Sequence, residues 1–157
     1  MKENTKNGLE STIQMVKEIF DNWGGIEAPF AALWYNSPDG RKNKIFHAML
    51  LVSDEDGSNP LVVIDAEMFP YVMQVMAKRL NADLAIMVLE TGTAGIKTDQ
   101  PKNGKRSVLL YVQDDEATEF WEAVVDEGHR LGDFAKVDRV DHNLPPILPQ
   151  WGMSNLN

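Results

Sequence analysis

Few residues in this sequence have the types and spacing that could support chemistry. The first candidates are a histidine and two nearby aspartates. Asp138, Asp141 and His142 form a D-x-x-D-H pattern that could offer two oxygens and one nitrogen to a divalent cation. The pattern lies outside any predicted helix that would align the three side chains, and it contains no second histidine. These residues are the candidates for a metal-assisted hydrolase, while the sequence as a whole predicts no metal and no cofactor.

The other two histidines fit structural positions. His47 alternates in phase with Ile45 and Met49, which predicts a half-buried side chain on the apolar face of a strand. His129 lies in the turn between Asp126 and Arg130, where we expect it to be solvated. Neither position favours a catalytic base.

Signatures of other catalytic chemistry are missing from the sequence. The run GTAG follows a predicted strand, but it has neither dinucleotide-binding nor P-loop spacing, and no amphipathic helix follows it. There is no G-x-S-x-G elbow, and the absence of Cys excludes disulfides, thiolate metal sites and a cysteine nucleophile. The carboxylates in the runs DEDG and QDDEAT have the composition of solvated turns. The residues therefore favour a non-enzymatic protein and leave the hydrolase as an alternative.

Length and charge narrow the classes of function. A chain of 157 residues is one domain by size, large enough to bury a core without covalent cross-links. The formal net charge of −9 disfavours direct nucleic-acid binding, which needs local positive charge for phosphate contacts. No apolar run approaches the roughly 20 residues that span a bilayer, and the N-terminus lacks the apolar segment of a signal peptide. We expect a soluble, cytoplasmic protein.

The charges are unevenly distributed along the chain. Residues 114–141 hold ten acids against three bases, whereas Arg41, Lys42 and Lys44 stand close together. Solubility and turn chemistry explain most surface charge of this kind. The acidic run also suggests a third function, a decoy that presents carboxylates to a protein that normally binds nucleic acid.

Apolar periodicity predicts two helices. The first spans Gly8–Trp23 and is ended by a Gly-Gly pair, whereas residues 1–7 are polar and are expected to be disordered. The second spans Phe69–Leu80, because Pro70 is tolerated only in the first turn, and Asp65 is available as its cap. Each helix carries one apolar stripe, at spacings of three and four residues.

A β-hairpin is predicted from residues 29–36 and 44–52. The turn Ser37–Gly40 joins them, and its Pro and Gly suit the early and late turn positions. The run Leu84–Leu89 is apolar on both alternating faces, as in a central strand that is covered on both sides. Ser107–Val112 is predicted to be the next strand.

The segment 115–127 is ambiguous, because Phe120 and Trp121 suit either a helix face or a strand. The tripeptide Asp126-Glu127-Gly128 is typical of a hairpin loop with Gly at the position of positive φ. We therefore predict a strand here, within a meander over residues 106–137. The alternative is a third helix over residues 115–127.

Together these elements predict one α+β domain over residues 8–140, in the order α-β-β-α-β-β-β. Two main helices flank a mostly antiparallel sheet of five or six strands. The order resembles the arrangement of roadblock, longin and profilin-like domains, without any residue motif of those families, and the resemblance implies a scaffold or a dimerising module. The predicted core consists of Ile13, Val16, Phe20, Leu33, Phe46, Val72, Met76, Ile86, Val88, Leu109 and Tyr111.

Residues 141–157 form a Pro-rich apolar C-terminal tail. Its PPILP run is extended and semi-rigid, so the tail either packs on its own domain or binds another chain. The candidate partner contacts are Leu144, Ile147, Leu148, Trp151 and Met153. The function that the sequence favours is a non-enzymatic protein-binding module, whose partner is another protein or a second copy in a homodimer.

Overall fold

The computed structural model describes residues 2–26, 29–41, 44–49, 68–91, 106–138, 140 and 142–149. Two helices and six strands lie within these residues. In chain order they are α1 (Glu3–Trp23), β1 (Phe30–Tyr35), β2 (Lys44–Met49), α2 (Phe69–Leu80), β3 (Leu84–Glu90), β4 (Ser107–Asp114), β5 (Thr118–Val124) and β6 (Ala135–Val137). The predicted α+β class is confirmed, and so is the choice of a strand in the segment after β4.

The six strands form one antiparallel sheet in the order β2-β1-β3-β4-β5-β6. Alternate residues of its central strands point into two different cores. On one face, Ile86 and Leu110 pack with Val16 of α1. On the other face, Met87 packs in a cluster that includes Met73 of α2. The sheet is therefore covered on both sides, as the two-faced apolar run of β3 predicts.

The helix α1 begins at Glu3, earlier than the predicted Gly8. Thr5 is buried, and its hydroxyl donates a hydrogen bond to Asp114 Oδ2 over 2.7 Å. The expectation of disorder is therefore corrected for residues 3–7. The cause is a contact with a distant strand, which no local pattern in the first residues could indicate.

Gly8 is where α1 approaches the sheet most closely. A Cβ added to Gly8 would lie 2.6 Å from Leu84 Cδ2 and 3.3 Å from the Trp34 ring. The helix ends at Gly24, whose φ of 73° is left-handed and whose N–H bonds the carbonyl of Phe20. Glycine thus serves close packing at one position and helix termination at the other.

The helix α2 spans Phe69–Leu80, as predicted, with Pro70 in its first turn. Met68 occupies the N-cap position without a side-chain hydrogen bond. The predicted cap Asp65 lies outside the described residues. The helix ends at Asn81, which has a left-handed φ of 53°.

The buried stripe of α2 is turned slightly from its predicted position. Phe69, Met73 and Ala77 are buried, whereas Val72 and Met76 are only partly buried. Of the other predicted core residues, those buried are Val16, Phe20, Leu33, Ile86, Val88, Leu109 and Tyr111, and those partly buried are Ile13 and Phe46.

The predicted hairpin of β1 and β2 is confirmed. In its loop, Ser37 N donates to Arg41 O over 2.7 Å, and Gly40 N donates to Ser37 O over 3.0 Å. Gly40 has a φ of 91°, a left-handed conformation that glycine adopts without strain. The Gly at the end of this turn was placed correctly by the sequence pattern.

The loop that follows β5 has the same hydrogen-bond pattern. Asp126 N donates to Arg130 O over 2.9 Å, and His129 N donates to Asp126 O over 3.0 Å. Positive φ falls on His129, at 60°, so the prediction that Gly128 takes this conformation is wrong. The pattern requires a left-handed residue at the fourth loop position, and Gly128 stands one position too early.

Candidate interaction surfaces

The residues of the D-x-x-D-H pattern occupy different surroundings. Asp138 is exposed, and Asp141 lies outside the described residues. The His142 ring packs against Phe120 and Tyr111, with centroid separations of 4.8 and 5.9 Å. Its Nδ1 accepts a hydrogen bond from the backbone N–H of Leu144 over 3.0 Å. Within the described residues, no group of three or more His, Cys, Asp or Glu side chains could hold a metal ion.

Three of the candidate partner contacts in the tail lie in the core of this chain. Leu144, Ile147 and Leu148 are 7%, 0% and 1% exposed, and they belong to the core cluster beneath α2. Trp151 and Met153 lie outside the described residues. The described part of the tail therefore packs on its own domain, which is the first of the two alternatives for it.

A buried glutamine anchors this segment to the sheet. Gln113 is 0% exposed, and its Oε1 accepts hydrogen bonds from the backbone N–H groups of Ile147 and Leu148 at 2.7 and 2.9 Å. Its Nε2 donates to Thr118 Oγ1 over 3.4 Å. A buried amide is costly unless it is bonded, so Gln113 and the tail stabilise each other.

Two further polar side chains contact the carbonyls of the Pro-Pro pair. The Tyr111 hydroxyl donates to Pro145 O over 3.2 Å, and Gln74 Nε2 of α2 donates to Pro146 O over 2.8 Å. Burial raises the pKa of Tyr111 to about 12, so the phenol stays a donor at neutral pH. Sequence reasoning missed these anchors, because a single Gln or Tyr in a strand or helix carries no pattern.

The described acidic side chains after residue 113 lie at both ends of β5, within it and beside β6. Residues 114–116 lie at one end, and residues 126–127 lie at the other, separated by the length of the strand. Between them, the Glu119 carboxylate pairs with Lys136 Nζ at 3.3 Å. The other described acids of this run are Glu122 on β5 and Asp133 and Asp138 on either side of β6.

Asp114 has a structural role at the turn between β4 and β5. Its Oδ1 accepts from the backbone N–H groups of Glu116 and Ala117, both at 2.8 Å, and its Oδ2 accepts from Thr5. Burial alone would raise the pKa of Asp114, but these hydrogen bonds and the nearby Lys2 ammonium outweigh it and lower that pKa. The ionised carboxylate thus joins the first turn of α1 to the sheet.

A second polar network joins the other end of α1 to the sheet. Arg106 Nη2 pairs with Glu90 Oε1 at 2.7 Å, and Glu90 Oε1 also accepts from the backbone N–H of Ile26 at 2.8 Å. Arg106 Nη1 lies 3.1 Å from His129 Nδ1, and its Nη2 donates to Gly24 O over 3.4 Å. His129 is exposed, as expected, but it also has this structural contact.

The outer side of α2 is apolar and exposed. Met68, Tyr71 and Val75 expose 51%, 49% and 54% of their surface, at spacings of three and four residues that place them on one side of the helix. The opposite side of the same helix is buried in the core. We call these three residues the outer α2 face.

No family model, curated protein or solved structure matches this chain. The described helices also include none that is long and apolar enough to cross a membrane. The role of the outer α2 face has therefore to be inferred from its residues and their exposure. Its signal was present in the sequence, because Tyr71 and Val75 are apolar and lie away from the Phe69 and Met73 stripe in helical projection.

The strand β2 forms one edge of the sheet, and its exposure differs from expectation. Ile45 is 44% exposed and His47 is exposed, whereas Phe46 and Ala48 pack against the core on the α2 side. His47 does alternate in phase with Ile45, but the prediction of a half-buried histidine is wrong. The cause is position, because α1 packs over the central strands and leaves this face of the edge strand open.

Proposed function

We propose that this chain is a non-enzymatic protein-binding module that self-associates through the outer α2 face. The observation that carries the proposal is the exposure of about half of each of Met68, Tyr71 and Val75. The inner side of α2 is buried in the core, so a second apolar stretch on the outer side of its first two turns favours a partner that covers it. Covering this area gains roughly 25 cal/mol for each Å² of apolar surface removed from water.

The charges around α2 favour a second copy as the partner. Lys78 and Arg79 lie in its last turn, and the sequence carries Asp65 and Glu67 shortly before its first residue. In a two-fold symmetric dimer with antiparallel α2 helices, the basic last turn of each helix lies beside the first turn of the other, and Glu67 comes two residues before that turn in the sequence. The apolar residues between them then meet the same residues of the second copy, as an isologous interface requires.

The two alternative functions draw less support from the described residues. A metal-assisted hydrolase would use Asp138 and His142, but the backbone N–H of Leu144 already bonds His142 Nδ1. A nucleic-acid decoy needs accessible, unneutralised carboxylates, whereas Glu119 pairs with Lys136 and Asp114 is buried in the turn before β5. The absence of Cys suits a reducing compartment, and we propose a cytoplasmic location.

Self-association is tested by light scattering coupled to size exclusion over a range of protein concentrations. We expect a dimer for the wild type and a monomer for Val75→Glu, because a carboxylate would be buried opposite its own copy. The matched control is Val124→Glu on β5, where the side chain is 42% exposed and does not belong to the outer α2 face. A wild type that is monomeric throughout, or a Val75→Glu variant that is equally dimeric, would contradict the proposal.

The antiparallel arrangement has its own test by charge reversal. Lys78→Glu alone should weaken the dimer, and the double variant Glu67→Lys with Lys78→Glu should restore it, because both charges of each pair are exchanged. Equal weakening by the single and double variants would rule out this arrangement while leaving self-association itself intact.

A further inference from the structure

Among the described strands, β2 is paired on one side only. In the part of the chain that the structure describes, β2 pairs only with β1, and it stands at the end of the strand order. An edge strand presents unpaired backbone N–H and C=O groups, and these groups can accept a further strand. Over Lys44–Met49 it is long enough for a stretch of ordinary strand length.

A groove runs beside β2 on the α1 side of the sheet. Its walls are Met15 and Ile19 of α1, Phe30 of β1, and His47 and Ala48 of β2, and it encloses a volume of about 220 Å³. Alternate side chains of an added strand would point toward this side. One of them could enter the groove, which is apolar apart from the imidazole.

The charge of β2 differs from that of the protein as a whole. The chain carries a net charge of −9, but the residues of β2 include Lys44 and His47 and no carboxylate. The turn before it adds Arg41, which pairs with Asp39 at 3.2 Å, and the sequence adds Lys42. Lys44 therefore gives the described part of this edge a positive charge, which favours a negatively charged partner.

We propose that the β2 edge binds an extended acidic segment of a partner protein by strand addition. Backbone pairing with β2 supplies affinity, an apolar side chain of the segment enters the groove between Met15 and Ile19, and carboxylates of the segment lie near Lys44 and His47. This site is formed by other residues than the outer α2 face, so it adds a second binding function to self-association.

The experiment uses fluorescently labelled peptides of about ten residues, a length that matches an ordinary strand. One peptide alternates Glu with Leu, a second alternates Lys with Leu, and a third is the acidic peptide with a central Pro that cannot pair in a sheet. Binding to the full chain is followed by fluorescence anisotropy. We expect saturable binding of the acidic peptide and at least roughly tenfold weaker binding of the other two, a difference of about one decade in Kd.

Two variants locate the site. Ile45→Glu places a carboxylate on the exposed face of β2 and should weaken binding of the acidic peptide by roughly tenfold or more, while Val124→Glu, at an equally exposed valine on β5, should leave it unchanged. Lys44→Glu should shift the preference toward the lysine peptide. Because Val75→Glu should leave peptide binding intact and Ile45→Glu should leave the α2 dimer intact, failure of one proposal is distinguishable from failure of the other.

Several results would overturn the inference. Absence of binding by the acidic peptide, equal binding of the acidic and lysine peptides, or full binding to Ile45→Glu would each exclude an acidic strand at this edge. Self-association that is lost in Ile45→Glu and kept in Val75→Glu would instead assign the edge to a second copy. Urea denaturation of each variant verifies that the fold is intact before binding is measured.

Discussion

The two helices cover opposite faces of one sheet, yet their outer surfaces differ in kind. The exposed residues of α1 are polar or charged until its last position, where Trp23 is 76% exposed. The exposed positions of α2 include Tyr71 and Val75, while the basic pair Lys78 and Arg79 stands only at its end. An amphipathic helix such as α1 leaves little apolar surface in water once its apolar side has packed on a core. The first two turns of α2, by contrast, carry apolar residues on the outer side as well as on the inner side. This difference between the helices favours a partner that covers α2.

The helices also differ in how they are attached. Polar side chains hold both ends of α1, through Thr5 with Asp114 and through Arg106 with Gly24. The N-terminus of α2 has no side-chain cap. The N-cap residue of α1, Lys2, has no side-chain cap either, and Gln74 of α2 donates to Pro146 O. The two helices therefore differ in where their polar contacts lie: those of α1 are at its ends, and this contact of α2 is within the helix.

The largest expected effect tests the inner side of α2. Met73 is 0% exposed, so Met73→Ala should lower the free energy of unfolding by about 3 kcal/mol through lost burial and the cavity left behind. Urea denaturation at low protein concentration measures it. The control is Val75→Ala, on the outer side of the same helix, which should cost about 0.5 kcal/mol or less under those conditions. Similar costs at the two positions would mean that the helix does not have distinct inner and outer sides.

A second prediction concerns the polar attachment of α1 and its dependence on pH. Asp114→Asn should lower the free energy of unfolding at neutral pH by about 2 kcal/mol, because hydrogen bonds to a charged acceptor are stronger than those to a neutral one. The pKa of Asp114 is lowered in the folded state. Its contribution is therefore present above the unfolded value near 3.9 and is lost as the pH falls through the folded-state pKa.

The measurement is a series of denaturation curves between neutral and acidic pH. The wild type should lose stability below about pH 4, and Asp114→Asn should show a flatter profile there. Asp115→Asn is the control, because Asp115 is exposed and pairs with Lys2 on the surface, where water and salt screen the contact. If the free energy of unfolding fell equally with acidic pH in the wild type and in Asp114→Asn, this carboxylate would not link α1 to the sheet.

How well the sequence predicted each structural feature depends on how far apart in the chain the contacting residues lie. The bounds of α2 were predictable, because Pro70 and the apolar stripe act within a few residues of each other. The start of α1 was not, because Thr5 and Asp114 are 109 positions apart in the chain. For the same reason the burial of the tail on Gln113 was left open, since a strand residue and a distant Pro-rich segment share no local pattern.

Position within the sheet was the other property that the sequence did not reveal. His47 has the alternation of an inward-facing residue, but alternation does not say whether a strand is central or at an edge. Likewise, the Gly128 in the second hairpin loop suggested a left-handed residue, while the hydrogen bonds of the loop assign that conformation to His129. Both errors arose from features that depend on pairing partners.

A third prediction tests the close approach of α1 to the sheet. Gly8→Ala in a free helix would be stabilising by roughly 1 kcal/mol. Here the added Cβ would meet Leu84 Cδ2 at 2.6 Å, and Leu84 is itself 2% exposed and has little room to move. We expect a net loss of about 1.5 kcal/mol from overpacking, measured by urea denaturation. Asn7→Ala, at the neighbouring exposed position, should be neutral or stabilising, and a gain at Gly8 as well would mean that α1 stands farther from β3.

The smallest expected effect compares the ends of the two helices. Both end in a left-handed residue, Gly24 for α1 and Asn81 for α2, with φ of 73° and 53°. No atom within 4 Å would meet a Cβ added to Gly24, so Gly24→Ala isolates the backbone cost. That cost is about 1 kcal/mol.

At the end of α2 the corresponding substitution introduces a glycine instead of removing one. Asn81→Gly relieves a conformation that Asn already tolerates, and the greater freedom of glycine in the unfolded chain offsets the gain, so the change should stay within about 0.5 kcal/mol. Thermal and urea denaturation measure both variants, with Asn22→Ala in the last turn of α1 as the control for an ordinary helical position. A loss at Gly24→Ala no larger than that of Asn22→Ala would show that α1 does not end in this left-handed turn.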